Sequence, residues 1–183
     1  MAIANQTQAP ANSPKANAEI LLESGTNELE VLVFGMANEQ FGVNVAKVRE
    51  VILPLTPTAS PNQHPSVLGM FNLRGGVLPL VDLHKYFELT PGHDANNQRI
   101  IVTEFNGLRT GFLVDSVEQI YRMSWSGMRA VPDTHSETNF CLTGITEIND
   151  RLVLMLALES IVDHINMEDQ LHVQVVETKL GLD

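Results

Sequence analysis

The stretch Phe41-Gly42-Val43-Asn44-Val45-Ala46-Lys47-Val48 returns 69 residues later as Thr110-Gly111-Phe112-Leu113-Val114-Asp115-Ser116-Val117. Gly42 aligns with Gly111, Val45 with Val114, Val48 with Val117 and Val51 with Ile120. A second register, offset by 75, matches Gly69 with Gly144, Leu73 with Ile148, Val77 with Leu152 and Leu83 with Leu158. In each half a hairpin leads to a Val-x-x-Val crossing, a loop, a second hairpin and a helical turn. Chance accounts poorly for matched anchors in the same order of elements, so the economical reading is two copies of one small β unit. About five strands are too few for a stable open sheet, so each unit is expected to close into a small barrel. The two barrels then pack side by side, and a groove between them is the natural binding site.

The strands follow from short apolar runs bounded by turn residues. Leu29 to Phe34 and Gln40 to Val45 flank Ala37-Asn38-Glu39, and Val67 to Leu73 and Val77 to Leu83 flank Arg74-Gly75-Gly76. Arg99 to Phe105 and Leu108 to Val114 flank Asn106-Gly107, whose residues both tolerate positive φ. Cys141 to Ile148 and Arg151 to Leu158 flank Asn149-Asp150, and a further strand falls at Val117 to Met123. The fold class is mainly β, with at least nine strands. Helical candidates of barely two turns are Val45 to Ile52, Leu83 to Phe87 and Leu158 to Ile165.

Composition narrows the function. The 183 residues are 44% hydrophobic, which excludes wholesale disorder, and only 5% aromatic, so aliphatic side chains must fill the core. Eleven Lys+Arg against 22 Asp+Glu give a formal charge of −11, a surface that repels nucleic acid and anionic lipid. No run approaches the roughly 18 apolar residues of a membrane span. The opening MAIANQTQAP lacks the basic and apolar regions of a secretory signal, and a lone cysteine suits a reducing cytoplasm. A soluble cytoplasmic protein is expected.

Enzymatic constellations are lacking. Cys141 alone makes neither an internal disulfide nor a thiolate zinc cage, and His64, His84, His93, His135, His164 and His172 stand far apart, none at metal-ligand spacing from another. No GxGxxG, GxxxxGK[ST] or GxSxG occurs. Asp133, His135 and Cys141 are near enough in sequence to raise a thiol hydrolase. Yet Pro132 to Asn139 reads as a polar loop that fixes no base, and Cys141 reads as a small buried hydrophobe starting a strand. No enzyme, metal or cofactor is expected.

The two repeats differ at one turn. The second uses Asn149-Asp150, whereas the first places Arg74 before Gly75 and Gly76, glycines that let a partner backbone come close. Arginine offers a planar fork of donors suited to carboxylates. Spacing alone leaves two readings standing: a partner-facing arginine, or an internal ion pair on a solvated turn.

Outside the repeats, residues 1–18 read as a flexible tail and residues 19–28 as a leader turn carrying Ile20, Leu21 and Leu22 and ended by Gly25. The paired barrels span residues 29–165. Residues 166–183 read as a helix docked on the barrels or a linker.

Phe41 to Ile52, Pro61 and the block Val67-Leu68-Gly69-Met70-Phe71-Asn72-Leu73-Arg74-Gly75-Gly76-Val77-Leu78-Pro79-Leu80-Val81-Asp82-Leu83 resemble the CheW family of chemotaxis coupling proteins. Gly111-Phe112-Leu113-Val114-Asp115-Ser116-Val117 is similar to a second segment of that family, and the likeness covers about Glu28 to Ile165. The leader from Ile20 to Glu30 looks more like CheV, in which a CheW-like domain precedes a receiver. The resemblance implies two intertwined five-stranded SH3-like β-barrels with short helices. It implies a non-catalytic adaptor that couples the cytoplasmic tips of methyl-accepting chemoreceptors to the histidine kinase CheA in arrays at the inner membrane. Carried over by position, the receptor groove uses Val48, Glu50, Ile52, Leu73, Arg74, Val114 and Asp115. Too few residues follow the barrels for a receiver, so a CheV coupling module cut from a longer protein is expected. The regulatory module of a CheA kinase shares the fold and is the alternative.

Overall fold

The computed structural model describes residues 27–61, 63–91, 95–132 and 139–180, with side chains along the last helix described as far as Asp169. The expected tail at residues 1–18, most of the leader, and both Asp133 and His135 lie outside the described residues. Ten strands form: β1 (Glu28–Met36), β2 (Glu39–Asn44), β3 (Val48–Ile52), β4 (Val67–Leu73), β5 (Gly76–Asp82), β6 (Arg99–Phe105), β7 (Leu108–Val114), β8 (Ser116–Ser124), β9 (Leu142–Ile148) and β10 (Arg151–Leu156). Two α-helices follow strands, α1 (Leu83–Tyr86) and α2 (Leu158–Leu180).

The strands build two five-stranded sheets, β8-β1-β2-β10-β9 and β3-β6-β7-β5-β4. Each sheet combines the first hairpin of one repeat with the last three strands of the other. This corrects the expectation that each repeat closes on itself. After β2 a 3-10 turn at Val45–Lys47, capped by the Asn44 side chain on the Ala46 N–H (2.9 Å), carries the chain to the other sheet. There β3 pairs with β6, and β8 symmetrically pairs with β1.

The register obeys both sequence offsets. Val31 faces Asn44 in the first hairpin and Ile100 faces Leu113 in its copy. The parallel pairing Met155–Gly42 recurs as Leu80–Gly111. Each sheet then closes through the segment after its edge strand. Backbone bonds of 2.8 Å run both ways between Thr58 and Met70, and bonds of 2.8 and 2.9 Å between Arg129 and Ile145. Both sheets are therefore small barrels.

Alternation along the strands divides the apolar residues among three cores. Leu29, Val31 and Val33 of β1 point into the first barrel with Val153 and Met155, and Ile100 and Val102 of β6 into the second with Phe71, Leu78 and Leu80. The opposite faces, Leu32, Phe34 and Met36 of β1 and Ile101 of β6, meet between the barrels with Phe112, Val114, Leu156, Leu158 and Ile161. Burial on both faces explains why β1 and β6 are almost continuously apolar. Gly42 and Gly111 occupy equivalent crowded sites: an added Cβ would lie 2.7 Å from Val31 in one and 2.9 Å from Phe71 in the other.

Two helical expectations change. Val45 to Ile52 is a helical turn only as far as Lys47, because β-branched Val48, Val51 and Ile52 pair as a strand. α2 runs 23 residues, joining the short helix expected at Leu158 to Ile165 to the helix reading of the segment after it, since neither Gly nor Pro interrupts Leu158 to Leu180. Its Leu158, Ile161 and Ile165 recur at helical spacing and pack into the inter-barrel core.

Candidate functional site

All four hairpins turn on two residues with positive φ: Ala37-Asn38, Arg74-Gly75, Asn106-Gly107 and Asn149-Asp150. This conformation matches the strand twist and favours Gly, Asn and Asp. Arg74, at φ 51°, is the one long side chain held there. A bulky residue in left-handed backbone costs about 1 kcal/mol or more. The Asn72 side chain supports the turn by accepting the Gly75 N–H at 3.2 Å.

Arg74 projects from the turn with 76% of its side chain exposed, and its Nη2 lies 2.9 Å from Oε2 of Glu50 on β3. A parallel pair joins Arg49 Nη2 to Glu104 Oε1 at 3.2 Å, and the Arg109 guanidinium lies where a Cβ on Gly76 would sit. Three of the chain's 11 basic residues thus gather with two glutamates at one end of the second barrel. Exposed Val77 and Leu108 lie at the same end, since the β5–β7 register run back three residues sets them side by side. A depression of about 410 Å³ lined in part by Leu55, Met70, Asn72 and Val77 adjoins them.

The other expected groove residues divide by place. On β3, Val48, Glu50 and Ile52 alternate with exposed Arg49 and Val51. Val48 packs on the inter-barrel core, while Ile52 and Leu73 pack on the second barrel's core. Val114 is fully buried between the barrels and offers no surface to a partner. Asp115 follows β7 at its far end, six residues past Arg109 and so roughly 20 Å away along the strand. Its Oδ2 accepts the Ala37 N–H and faces His84 Nε2, both at 3.0 Å, while His84 Nδ1 lies 3.4 Å from Asp82. Glu50, Leu73 and Arg74 therefore share one site, and Asp115 braces another end of the molecule. The flanking Arg49, Val51, Leu53, Val77 and Leu108 escape the sequence reading because an exposed apolar residue at a strand end leaves no pattern distinct from a core position.

The thiol alternative does not fit the geometry. Cys141 ends a 3-10 turn (Asn139–Cys141) rather than beginning a strand, is wholly buried, and has its thiol pushed up to about 11 by that burial. Such a thiol stays protonated and out of reach, the opposite of a nucleophile's setting. Ser66, His64 and Glu168 form a second chain, with His64 Nδ1 2.6 Å from Ser66 Oγ and Nε2 2.6 Å from Glu168. Ser66 is buried, so this chain ties α2 to the loop before β4 rather than exposing a hydroxyl. Nearby, Tyr86 OH lies 3.1 Å from His164 Nδ1, and burial, helped by Cys141 and Glu168, raises its hydroxyl pKa. No group of three His, Cys, Asp or Glu able to hold a metal occurs among the described residues.

Residues 30–166 match the CheW-like domain. The chain belongs to the CheW-like family. This CheW-like chain is 38% identical over 135 residues to the chemotaxis protein CheV3 of Helicobacter pylori, covering 70% of the chain and 43% of that relative. It spans less than half of CheV3. The CheW of the same organism is 31% identical over 147 residues, covering 80% of the chain and 89% of that protein. The crystal structure of the scaffolding protein TtCheW from Thermoanaerobacter tengcongensis superposes with a TM-score of 0.67 at 26% identity, over 71% of this chain and 84% of that one. The expected intertwined fold is thereby established. Among the described residues no helix is long and apolar enough to cross a membrane.

Proposed function

We propose that this CheW-like chain is a non-catalytic adaptor linking the cytoplasmic tips of methyl-accepting chemoreceptors to the regulatory domain of the histidine kinase CheA, in arrays beside the inner membrane. The observation that carries the reading is the Glu50–Arg74 pair. A long arginine is held in a left-handed turn where the other repeat has Asn149, and it is tied across to β3 while remaining largely exposed. An exposed ion pair contributes about 0–1 kcal/mol. The left-handed backbone costs as much or more, so stability alone does not account for arginine there.

Apolar Leu73, Val77 and Leu108 around this pair suit a helix laid into the surface, with the charges setting its register. Val48 and Ile52 shape the groove from below, and Val114 and Asp115 position it from the core and the far turn. The identity to CheV3 supports a CheV-type coupling module, in which a receiver belongs to the longer protein.

Arg74→Glu reverses the charge beside Glu50 and is expected to abolish kinase control by receptors in reconstituted arrays, with the far-UV spectrum unchanged. A kinase response equal to that of the unaltered chain would refute the assignment of this turn.

A further inference from the structure

Among the described residues, Arg109 is the one arginine with neither an ion pair nor a side-chain hydrogen bond. Arg49, Arg74, Arg122, Arg129 and Arg151 each face a glutamate, and Arg99 donates to backbone carbonyls. The strands around Arg109 set its isolation. In the β6–β7 register Glu104 stands directly opposite, yet its carboxylate is taken by Arg49 at 3.2 Å. Glu50 is taken likewise by Arg74 at 2.9 Å. Both carboxylates at this end are thus committed, leaving one positive charge in excess in a chain of formal charge −11. Arg109 is only partly exposed, so its N–H donors are drawn from water with no acceptor in return.

Alternation places these groups at the mouth of the second barrel. Leu78 and Leu80 of β5 and Ile100 and Val102 of β6 line its core, so Gly76 and Glu104 share the inward face at the barrel's end. Arg109 shares it too, two residues before Gly111, where an added Cβ would meet Ile100 and Phe71. The Arg109 guanidinium fills the space that a Cβ on Gly76 would take, so the glycine provides its resting place. Val77 and Leu108, each adjacent in sequence to one of these two residues, stand exposed on the outer wall.

We propose that Arg109, held over Gly76, binds a carboxylate, and that this barrel mouth takes an acidic amphipathic helix. One carboxylate of that helix crosses the rim to the Arg109 fork, while apolar side chains a turn away cover Val77 and Leu108. The proposal rests on the adaptor reading, which makes the helix part of a chemoreceptor tip. Arg74, already paired, then shapes the rim, and Arg109 supplies the open charge.

Binding of the full chain to the soluble cytoplasmic fragment of its cognate chemoreceptor, measured at low and high salt, tests this. Arg109→Gln is expected to weaken binding about ten-fold, as for a lost hydrogen bond between charged groups, and to flatten its salt dependence. Arg122→Gln makes the same charge change on β8 of the first barrel and is expected to alter binding less than about two-fold. Gly76→Ala displaces the guanidinium, so it is expected to weaken binding by itself and to add nothing to Arg109→Gln. Unchanged binding in Arg109→Gln, an equal loss in Arg122→Gln, or a further loss in the double variant overturns the proposal. Should Arg74→Glu abolish binding while Arg109→Gln does not, the adaptor reading stands without it. A fragment that fails to bind the unaltered chain removes the receptor reading itself, and this proposal with it.

Discussion

Arg74 stands where the second repeat places Asn149, and both residues have φ 51°. Asparagine tolerates this conformation and arginine pays for it in strain. Arg74→Asn therefore relieves about 1 kcal/mol or more of backbone strain and removes one exposed ion pair of about 0–1 kcal/mol, two effects that oppose each other. Denaturant unfolding is expected to show stability unchanged or raised, while receptor coupling is lost. A stability loss beyond about 1 kcal/mol would mean that Arg74 braces the fold instead of presenting a charge. The residue itself was legible in the sequence as the difference between two aligned turns. Its partner Glu50 came only from the family resemblance, because a bond across 24 positions has no local signature. Cys141 shows the converse: three nearby residue letters suggested chemistry, and only burial reveals a protonated thiol sealed in the core.

At the scale of elements, hairpins were easier to read than their destinations. Asn106-Gly107 and Asn149-Asp150 declare two-residue turns by residue type, and the strands beside them followed. β3 did not, because Val45 to Ile52 carries apolar residues compatible with a short helix or a strand, and pairing with β6 decides. The extent of α2 stood open between a helix and a linker, since its apolar positions beyond Ile165 mix with charge. Asp115 belongs to this scale. Its carboxylate joins the β1–β2 turn at Ala37 to the start of α1 at His84, tying elements from both barrels. Asp115→Ala is expected to cost about 1–3 kcal/mol in denaturant unfolding, as for a half-buried charged acceptor whose donors are left without it. An unchanged midpoint would show that these bonds are replaced by water and would return Asp115 to the list of partner-facing residues.

For the whole molecule, the repeat announced two units, and simple economy assigned one barrel to each. The chain instead exchanges hairpins between halves, so each barrel needs both repeats. Sequence offsets report which residues are equivalent and carry no information on whether equivalent strands pair within a half or across it. The interwoven arrangement joins the two barrels through a third core. On the proposed adaptor role, receptor and kinase contacts are expected to be individually weak and strengthened when many copies are held in one lattice.

The central claim is that this body is a coupling adaptor, and calorimetric titration of the full chain into the regulatory domain of its cognate CheA tests it most directly. The account predicts saturable one-to-one binding in the micromolar range, on the order of −8 kcal/mol, retained in Arg74→Glu because that residue is proposed to serve the receptor side. An absence of heat and of binding at concentrations of about a millimolar, where even −4 kcal/mol would register, would contradict it.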